Sequence, residues 1–190
     1  PSSVSKTGEF SFGFCKLLKQ VNLTGKTSIG KRAFCGCISL IDVNFDTSEN
    51  DKCGNFSIEE CAFSQCPSLQ YINLPSNAHI IIEEKAFLGF LSLVEITIPE
   101  SVKKIKKYAF SECSSLVKIL IPSSVTSIGS GAFQNCKALK EITIPEKVLS
   151  LKKEVFGKCT SLTKVTIKSE IKTIEEAAFK QCTSLRTINV

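Results

Sequence analysis

The chain has 190 residues, of which 43% are hydrophobic and 22% charged, and it carries a formal net charge of +6. This composition is typical of a folded protein with an apolar core and excludes a disordered, low-hydrophobicity segment. No apolar run approaches the roughly 18 residues of a membrane-spanning helix, and the first residues do not resemble a signal peptide. Because the sequence has no methionine, the initiator included, we expect a fragment or a processed form.

Phenylalanine recurs at a nearly constant spacing along the chain, which indicates an internal repeat. The last five of these phenylalanines are each 23 residues apart, and an insertion from Thr47 to Phe56 lengthens one earlier step. We number eight repeats by their phenylalanines, in order Phe12, Phe34, Phe63, Phe87, Phe110, Phe133, Phe156 and Phe179. No segment is left over, so we predict a single solenoid over residues 1–190. Since both ends fall inside a repeat, we expect a fragment of a longer array.

Each repeat carries three apolar segments in the same order. The segment Ala-Phe-x-x-Cys predicts a short helical turn that points Phe and Cys inward. The segment Leu-x-x-Ile-x-Ile predicts a short strand, which the following proline ends because it cannot donate to a β-ladder. The segment Val-x-x-Ile predicts a second extended arc. The predicted fold class is an α/β repeat, a leucine-rich-repeat solenoid with a curved parallel β-sheet on the concave face and short helical turns on the other side.

The repeat resembles that of the BspA-like, or treponemal-type, leucine-rich repeat family. The string Ala-Phe-x-x-Cys-x-x-Leu-x-x-Ile-x-Ile-Pro is nearly intact at 109–122, 132–145 and 86–99, although Phe90 replaces the cysteine in the last of these. The resemblance covers essentially the whole chain, and departures cluster in repeats 1 and 2. It implies a curved solenoid without catalytic residues, found in bacterial and parasitic-protist surface proteins that bind host proteins or matrix.

Seven of the ten cysteines stand three residues after a repeat phenylalanine, namely Cys15, Cys37, Cys66, Cys113, Cys136, Cys159 and Cys182. We predict a buried ladder of free thiols, because cysteine is often buried and Phe90 replaces it in repeat 4. Cys35, Cys53 and Cys61 lie off this ladder. They are either free thiols or form one disulfide, Cys53–Cys61 or Cys35–Cys61, which would suit an oxidising compartment. Zinc is the weakest alternative, because Cys35-x-Cys37 lacks a second pair, so we expect no metal and no cofactor.

The outward side chains of the predicted strands form two rows along the concave face, the usual binding surface of a solenoid. Tyr71 and Leu120 are candidate anchors, because large exposed side chains amid polar neighbours are typical of a protein-binding patch. The alternative is a solvated face whose alternating charges neutralise one another. The candidate partner-binding residues are Tyr71, Asn73, Glu95, Lys118, Leu120, Glu141 and Lys164.

Positive charge is concentrated in the second half of the chain. Residues 1–95 hold eight Lys or Arg against ten Asp or Glu, whereas residues 96–190 hold sixteen against eight. The candidate residues for weak contact with an anionic surface, such as a sulfated glycan, are Lys103, Lys104, Lys106, Lys107, Lys152 and Lys153. Stacking aromatics do not accompany these lysines, so we expect no nucleic-acid binding.

The predicted function is a non-enzymatic protein-recognition module of a cell-surface or secreted protein, with a role in adhesion to host or matrix proteins. The surface location comes from the family resemblance and leaves a cytoplasmic location open. The alternative is an intracellular scaffold or structural repeat. No residue is a catalytic candidate, because the sequence has no glycine-rich phosphate loop and no nucleophile beside a base. The uncapped repeats at both ends also suggest end-to-end self-association.

Overall fold

A computed structural model describes residues 4–24, 27–46, 55–76, 79–168 and 170–189. Regular structure in these ranges consists of short parallel strands joined by turns. The strands are β1 (Gln20–Thr24), β2 (Asp42–Asp46), β3 (Asn55–Ile58), β4 (Tyr71–Ile72), β5 (His79–Ile82), β6 (Glu95–Thr97), β7 (Lys104–Ile105), β8 (Lys118–Leu120), β9 (Ser127–Ile128), β10 (Glu141–Ile144), β11 (Ser150–Leu151), β12 (Lys164–Ile167), β13 (Thr173–Ile174) and β14 (Thr187–Asn189).

The first sheet is built from one strand of each repeat, at the position where the sequence predicts it. Its strands lie side by side in chain order and are hydrogen-bonded in the groups β1-β2-β4, β6-β8 and β10-β12-β14. Neighbouring groups are in contact, β4 with β6 and β8 with β10. Equivalent repeat positions face each other, as in the pairs Ile96↔Ile119 and Ile142↔Val165. The parallel solenoid of leucine-rich-repeat type is therefore confirmed.

The Val-x-x-Ile arcs form a second parallel sheet. Its strands are hydrogen-bonded in the orders β3-β5-β7-β9 and β11-β13, and β9 contacts β11. Ile105 and Ile128 of this arc point into the core, where they are both buried and directly paired, whereas the equivalent Ile174 in the last of these strands is exposed. The predicted extended arc is thus a hydrogen-bonded layer that closes the second side of the solenoid.

The predicted short helical turns are wrong, because no helix is present in the part of the chain that the structure describes. The Ala-Phe-x-x-Cys segment instead contains successive turns in which an N–H bonds the carbonyl three residues earlier, as from Gln134 to Gly131 and from Cys136 to Phe133. In every repeat, the residues two before and two after the phenylalanine have positive φ. The residues two before it are Phe10, Arg32, Cys61, Lys85, Tyr108, Gly131, Glu154 and Ala177. The residues two after it are Phe14, Gly36, Gln65, Gly89, Glu112, Asn135, Lys158 and Gln181. Two left-handed residues, four positions apart in each repeat, prevent the segment from forming a right-handed helix.

The turns direct their remaining N–H groups to the next repeat. Between repeats 5 and 6, three such N–H groups bond the carbonyl of the residue just before the equivalent position. They run from Tyr108 to Ser130, from Phe110 to Ala132 and from Glu112 to Gln134, with N···O distances of 3.0, 2.8 and 2.8 Å. A helix would have used these donors within its own repeat. The left-handed residues direct these N–H groups along the solenoid axis. The turns therefore form a third hydrogen-bonded side of the solenoid.

A column of phenylalanine rings runs through the core. Phe133 is fully buried and stacks on Phe110 and Phe156, with both ring centroids 5.6 Å away and interplanar angles of 5°. Similar stacking continues along the column from Phe12 to Phe179. Each repeat therefore packs one ring against each neighbour inside the core, in addition to the backbone hydrogen bonds, and the core depends on correct stacking of successive repeats.

The cysteine ladder lies beside this column and supplies hydrogen-bond donors. Most of its described thiols donate to the carbonyl of the preceding repeat's phenylalanine, for example Cys136 Sγ to Phe110 O at 3.2 Å. Five of the seven ladder cysteines are buried, whereas Cys15 is exposed and Cys182 is partly buried. Burial raises the pKa of the Cys113 thiol to about 12. Burial also raises the pKa of Cys37, Cys66 and Cys136, and the neighbouring Cys182 thiol together with burial raises the pKa of Cys159, so the five buried thiols stay protonated and act as packed donors.

The left-handed positions offer a test of the turn geometry. Lys158, which is exposed with φ of 63°, should be more stable as glycine, because glycine has no Cβ to clash in this conformation. We expect Lys158→Gly to raise the free energy of unfolding by up to about 1 kcal/mol. The matched control Lys137→Gly, at an exposed position outside the left-handed set, should lower it through the entropy of the unfolded chain. Urea denaturation of the two variants measures the difference, and loss of stability in both would contradict the assigned turns.

Candidate functional site

The outward side chains of the first sheet form what we call the strand face. They occupy two rows, eight and ten residues after each repeat phenylalanine. The first row is Gln20, Asp42, Tyr71, Glu95, Lys118, Glu141, Lys164 and Thr187, and the second is Asn22, Asn44, Asn73, Thr97, Leu120, Thr143, Thr166 and Asn189. Every one of these side chains is exposed or partly exposed. The two rows are two residues apart in the sequence, because alternate residues of a strand point to the same face of a sheet.

Two large side chains protrude from this otherwise polar face. Tyr71 is 63% exposed and Leu120 is 56% exposed. Depressions flank Tyr71 on both sides, one of about 220 Å³ toward Asn73 and Thr97 and one of about 730 Å³ toward Ser92. A further depression of about 520 Å³ surrounds Leu120. These depressions are open to solvent, which suits contact with another macromolecule better than enclosure of a small ligand.

The seven candidate partner-binding residues fall into two groups on the strand face. Tyr71, Asn73 and Glu95 line the depressions in repeats 3 and 4, and Lys118, Leu120 and Glu141 line the depression in repeats 5 and 6. Lys164 lies on the same row but lines neither depression. Partner binding by these residues stays a prediction.

The charges of the strand face neutralise one another only partly. Lys118 Nζ lies 3.8 Å from Glu95 Oε1, and both side chains are more than half exposed. Such an exposed pair contributes little free energy and is readily exchanged for a partner's charge. Within the described ranges, Glu141 makes no ion pair with its directly opposite neighbour Lys164. Charged groups of this face therefore remain available to a ligand.

An apolar patch at the edge of the strand face was not predicted. It consists of two apolar pairs, Ile38 with Ile41 and Leu91 with Val94, which we together call the edge patch, and each side chain is 40–55% exposed. These residues stand four and seven residues after the phenylalanines of repeats 2 and 4. Pro67 and Gln70 occupy the equivalent positions of repeat 3 between the two pairs. The sequence contains a signal for this patch, because the equivalent residues of repeats 1 and 6 are lysines and those of repeats 2 and 4 are aliphatic. The two-residue period of the strands does not include these positions.

The six candidate lysines are not one free cationic surface. Three of them pair across neighbouring repeats at 2.6–2.8 Å, namely Lys106 with Glu83, Lys152 with Glu175 and Lys153 with Glu176. Lys107 lies over the ring of Tyr108, with its Nζ 5.2 Å from the centroid. Lys103 and Lys104 are exposed. These contacts reduce the positive charge offered to an anionic surface, and glycan contact stays a prediction.

The off-ladder cysteines lie only partly within the described residues. Cys35 and Cys61 are partly exposed and are free thiols in this structure. Burial, together with the neighbouring Cys61, raises the pKa of Cys35. Cys53 lies outside the described residues, so the disulfide stays a prediction. In the described parts of the chain, no three metal-ligating side chains cluster together, and no helix could span a membrane.

Comparison with known proteins agrees with this repeat geometry. The model of the BspA type leucine rich repeat region matches in six copies, over residues 1–116 and 56–186. A leucine-rich repeat protein from T. pallidum has a similar structure, with 27% identity, a TM-score of 0.69, and coverage of 98% of this chain and 76% of that one. A leucine rich cell surface protein from Faecalibacterium prausnitzii is 24% identical with a TM-score of 0.50, over 98% of this chain, which spans 63% of its length.

A search of curated proteins found no match to the chain. The family match nevertheless covers all but the last few residues and coincides with the repeat built around each core phenylalanine. Its extent and the parallel stacking of the repeats lead to one assignment. The chain belongs to the BspA-type leucine-rich repeat family.

Proposed function

We propose that the chain is a non-enzymatic recognition module that binds a protein partner through its strand face. The observation that carries this proposal is the exposure of Tyr71 and Leu120 in the middle of a polar, hydrogen-bonded sheet. Tyrosine is among the residues that contribute most to protein interfaces, and burial of the leucine side chain adds apolar contact area from which a partner excludes water. Each of the two anchors stands beside an open depression that a partner's side chains can fill.

The rigidity of the repeat supports the same function. Backbone hydrogen bonds join neighbouring strands through the paired rows, so the two anchors are held at fixed positions before a partner arrives. Little conformational entropy of the backbone is then lost on binding, which favours affinity for a given contact area.

The cell-surface location and an adhesive role toward host or matrix proteins are part of the proposal. Membership of the family supports them, and so does the similarity to the cell surface protein from Faecalibacterium prausnitzii. The alternative remains an intracellular scaffold. Antibody labelling of intact and permeabilised parent cells, with a serum against the whole chain, distinguishes the two, since labelling only after permeabilisation would overturn the surface location.

Binding itself is tested with immobilised protein and a panel of purified extracellular matrix proteins. We expect at least one of them to bind the wild-type chain and to bind the double variant Tyr71→Ala/Leu120→Ala at least about tenfold more weakly, because hot-spot residues dominate an interface. The control Thr187→Ala, on the same face but outside the depressions beside the two anchors, should bind like wild type. Failure of the whole panel to bind, or binding that the double variant retains, would contradict the proposal.

A further inference from the structure

The strand face carries an aromatic ring between two carboxylates in repeats 2 to 4. Asp42 and Tyr71 are directly opposite each other in the first sheet. Glu95 occupies the same row in the next repeat, and it lines both depressions beside Tyr71. Because neighbouring parallel strands are about 4.8 Å apart, the two carboxyl-bearing residues stand roughly 10 Å apart with the ring between them.

The two carboxylates are poorly neutralised. Asp42 accepts hydrogen bonds from two neutral amides, Gln20 Nε2 at 3.3 Å and Asn44 Nδ2 at 2.7 Å, and these leave its charge in place. Among the described residues, the ion pair that Glu95 makes is the exposed 3.8 Å contact with Lys118. The negative charge beside Tyr71 is therefore available to a cation from outside the chain.

The aromatic ring strengthens the preference for a cation. A guanidinium or ammonium group is attracted to the face of a tyrosine ring, and more strongly where carboxylates lie beside it. Repeats 5 to 8 lack this arrangement, because the same row there reads Lys118, Glu141, Lys164 and Thr187, with alternating charge and no aromatic residue.

The edge patch lies directly next to this row. Ile41 precedes Asp42 in repeat 2 and Val94 precedes Glu95 in repeat 4, and both are exposed. Lysines occupy the position of Ile41 and Val94 in repeats 1 and 6, as Lys19 and Lys140, and the exposed Gln70 occupies it in repeat 3, so apolar side chains stand on either side of Gln70. An apolar surface beside a carboxylate–tyrosine–carboxylate row is complementary to a ligand that combines a cation with aliphatic groups.

We propose that Asp42, Tyr71 and Glu95 bind an arginine or lysine side chain of a partner protein, whose neighbouring aliphatic residues pack on the edge patch. This inference rests on the proposed function and specifies the chemistry of the partner segment. The cation lies over the Tyr71 ring, and the two carboxylates contact it from either side. The aliphatic flanks of the segment cover Ile41 and Val94, which water otherwise contacts.

The chain offers a direct spectroscopic test of this site. It contains two tyrosines and no tryptophan, so Tyr108→Phe leaves Tyr71 as its only fluorescent tyrosine. In that background we would titrate a synthetic peptide with a central arginine between two pairs of aliphatic residues. The comparison peptide carries citrulline, which keeps the shape of arginine but not its charge. We expect a saturable change in Tyr71 emission with the arginine peptide, and about tenfold weaker binding of the citrulline peptide.

The variant Asp42→Asn/Glu95→Gln, made in the same background, should weaken arginine-peptide binding by about tenfold, whereas the control Glu146→Gln, which removes an exposed carboxylate outside the strand face, should leave it nearly unchanged. All three positions lie on the surface, so unchanged urea midpoints will show that the variants fold. Absence of a saturable Tyr71 response at about 1 mM peptide, or equal binding of the citrulline peptide, would overturn the inference.

The failure of this site and the failure of the proposed function give different results. A matrix protein whose capture is lost in Leu120→Ala but kept in Asp42→Asn/Glu95→Gln would overturn the cation site and leave strand-face recognition standing. A charge-dependent Tyr71 response without capture of any matrix protein would support the cation site and contradict matrix binding.

Discussion

Replacing Phe133 by alanine is expected to lower the free energy of unfolding by about 3–5 kcal/mol, the usual loss for a large buried side chain. Phe133 is fully buried and stacks on the rings of Phe110 and Phe156, each at a centroid distance of 5.6 Å. The substitution therefore removes contacts with two neighbouring repeats and leaves a cavity at the centre of the column. Urea denaturation followed by circular dichroism measures the loss.

The matched control is Lys106→Ala, which lies on the outside of repeat 5. Its Nζ is 2.6 Å from Glu83 Oε2, but both side chains are partly exposed, so the loss should stay below about 1 kcal/mol. Because a solenoid is stabilised mainly by contacts between neighbouring repeats, Phe133→Ala should also broaden the transition by uncoupling repeats on either side. Equal stability of the two variants would show that the rings do not stack in the assigned order.

The strand face was predictable because a strand has a two-residue period. The apolar residues Ile119 and Ile142 fix which side chains point inward, and the residues beside them must then point outward. The structure places Lys118 and Leu120 in the two outward rows for this reason. The residues that a partner contacts could not be predicted from that pattern, since the alternation specifies only which side of the sheet a residue occupies.

The turns were mispredicted because left-handed residues give little signal in this sequence. Only three of the sixteen positions are glycine, the residue that normally marks positive φ. Tyr108 and Glu154, for example, take φ near 55°, although neither residue type indicates a left-handed conformation. Their conformation is stabilised by hydrogen bonds to the next repeat, which depend on the stacking distance and therefore on the assembled fold.

The edge patch was missed for a related reason. Ile41 and Val94 stand 53 positions apart in the chain, and each alone is an ordinary exposed aliphatic residue. They come to the same edge of the sheet, on either side of Gln70, only when repeats 2 to 4 stack in register. A repeat alignment that tracked the seventh residue after each phenylalanine, from Lys19 through Ile41 and Val94 to Lys140, would have revealed it.

The cysteine ladder predicts that the protein loses stability in alkaline solution. Burial raises the pKa of both Cys66 and Cys113 to about 12, whereas an unfolded cysteine titrates near pH 8.5. Above about pH 8.5 the unfolded chain therefore releases thiol protons that the folded chain retains, and unfolding becomes more favourable. The stability that these protonated thiols contribute is fully present below that pH and is lost as the pH rises toward 12.

Each buried thiol should contribute up to about 1.4 kcal/mol per pH unit to this loss. In the presence of reductant, we expect Cys113→Ala to lose about 2 kcal/mol less than wild type between pH 8 and pH 10. The variant should be less stable than wild type at pH 8, because it lacks the bond from Cys113 Sγ to Phe87 O. Lysines and tyrosines titrate in the same range in both proteins, so the difference between them isolates the thiol. Cys15→Ala, which removes an exposed cysteine, is the matched control, and a pH dependence of Cys113→Ala equal to that of wild type would show that the Cys113 thiol ionises freely in the folded chain.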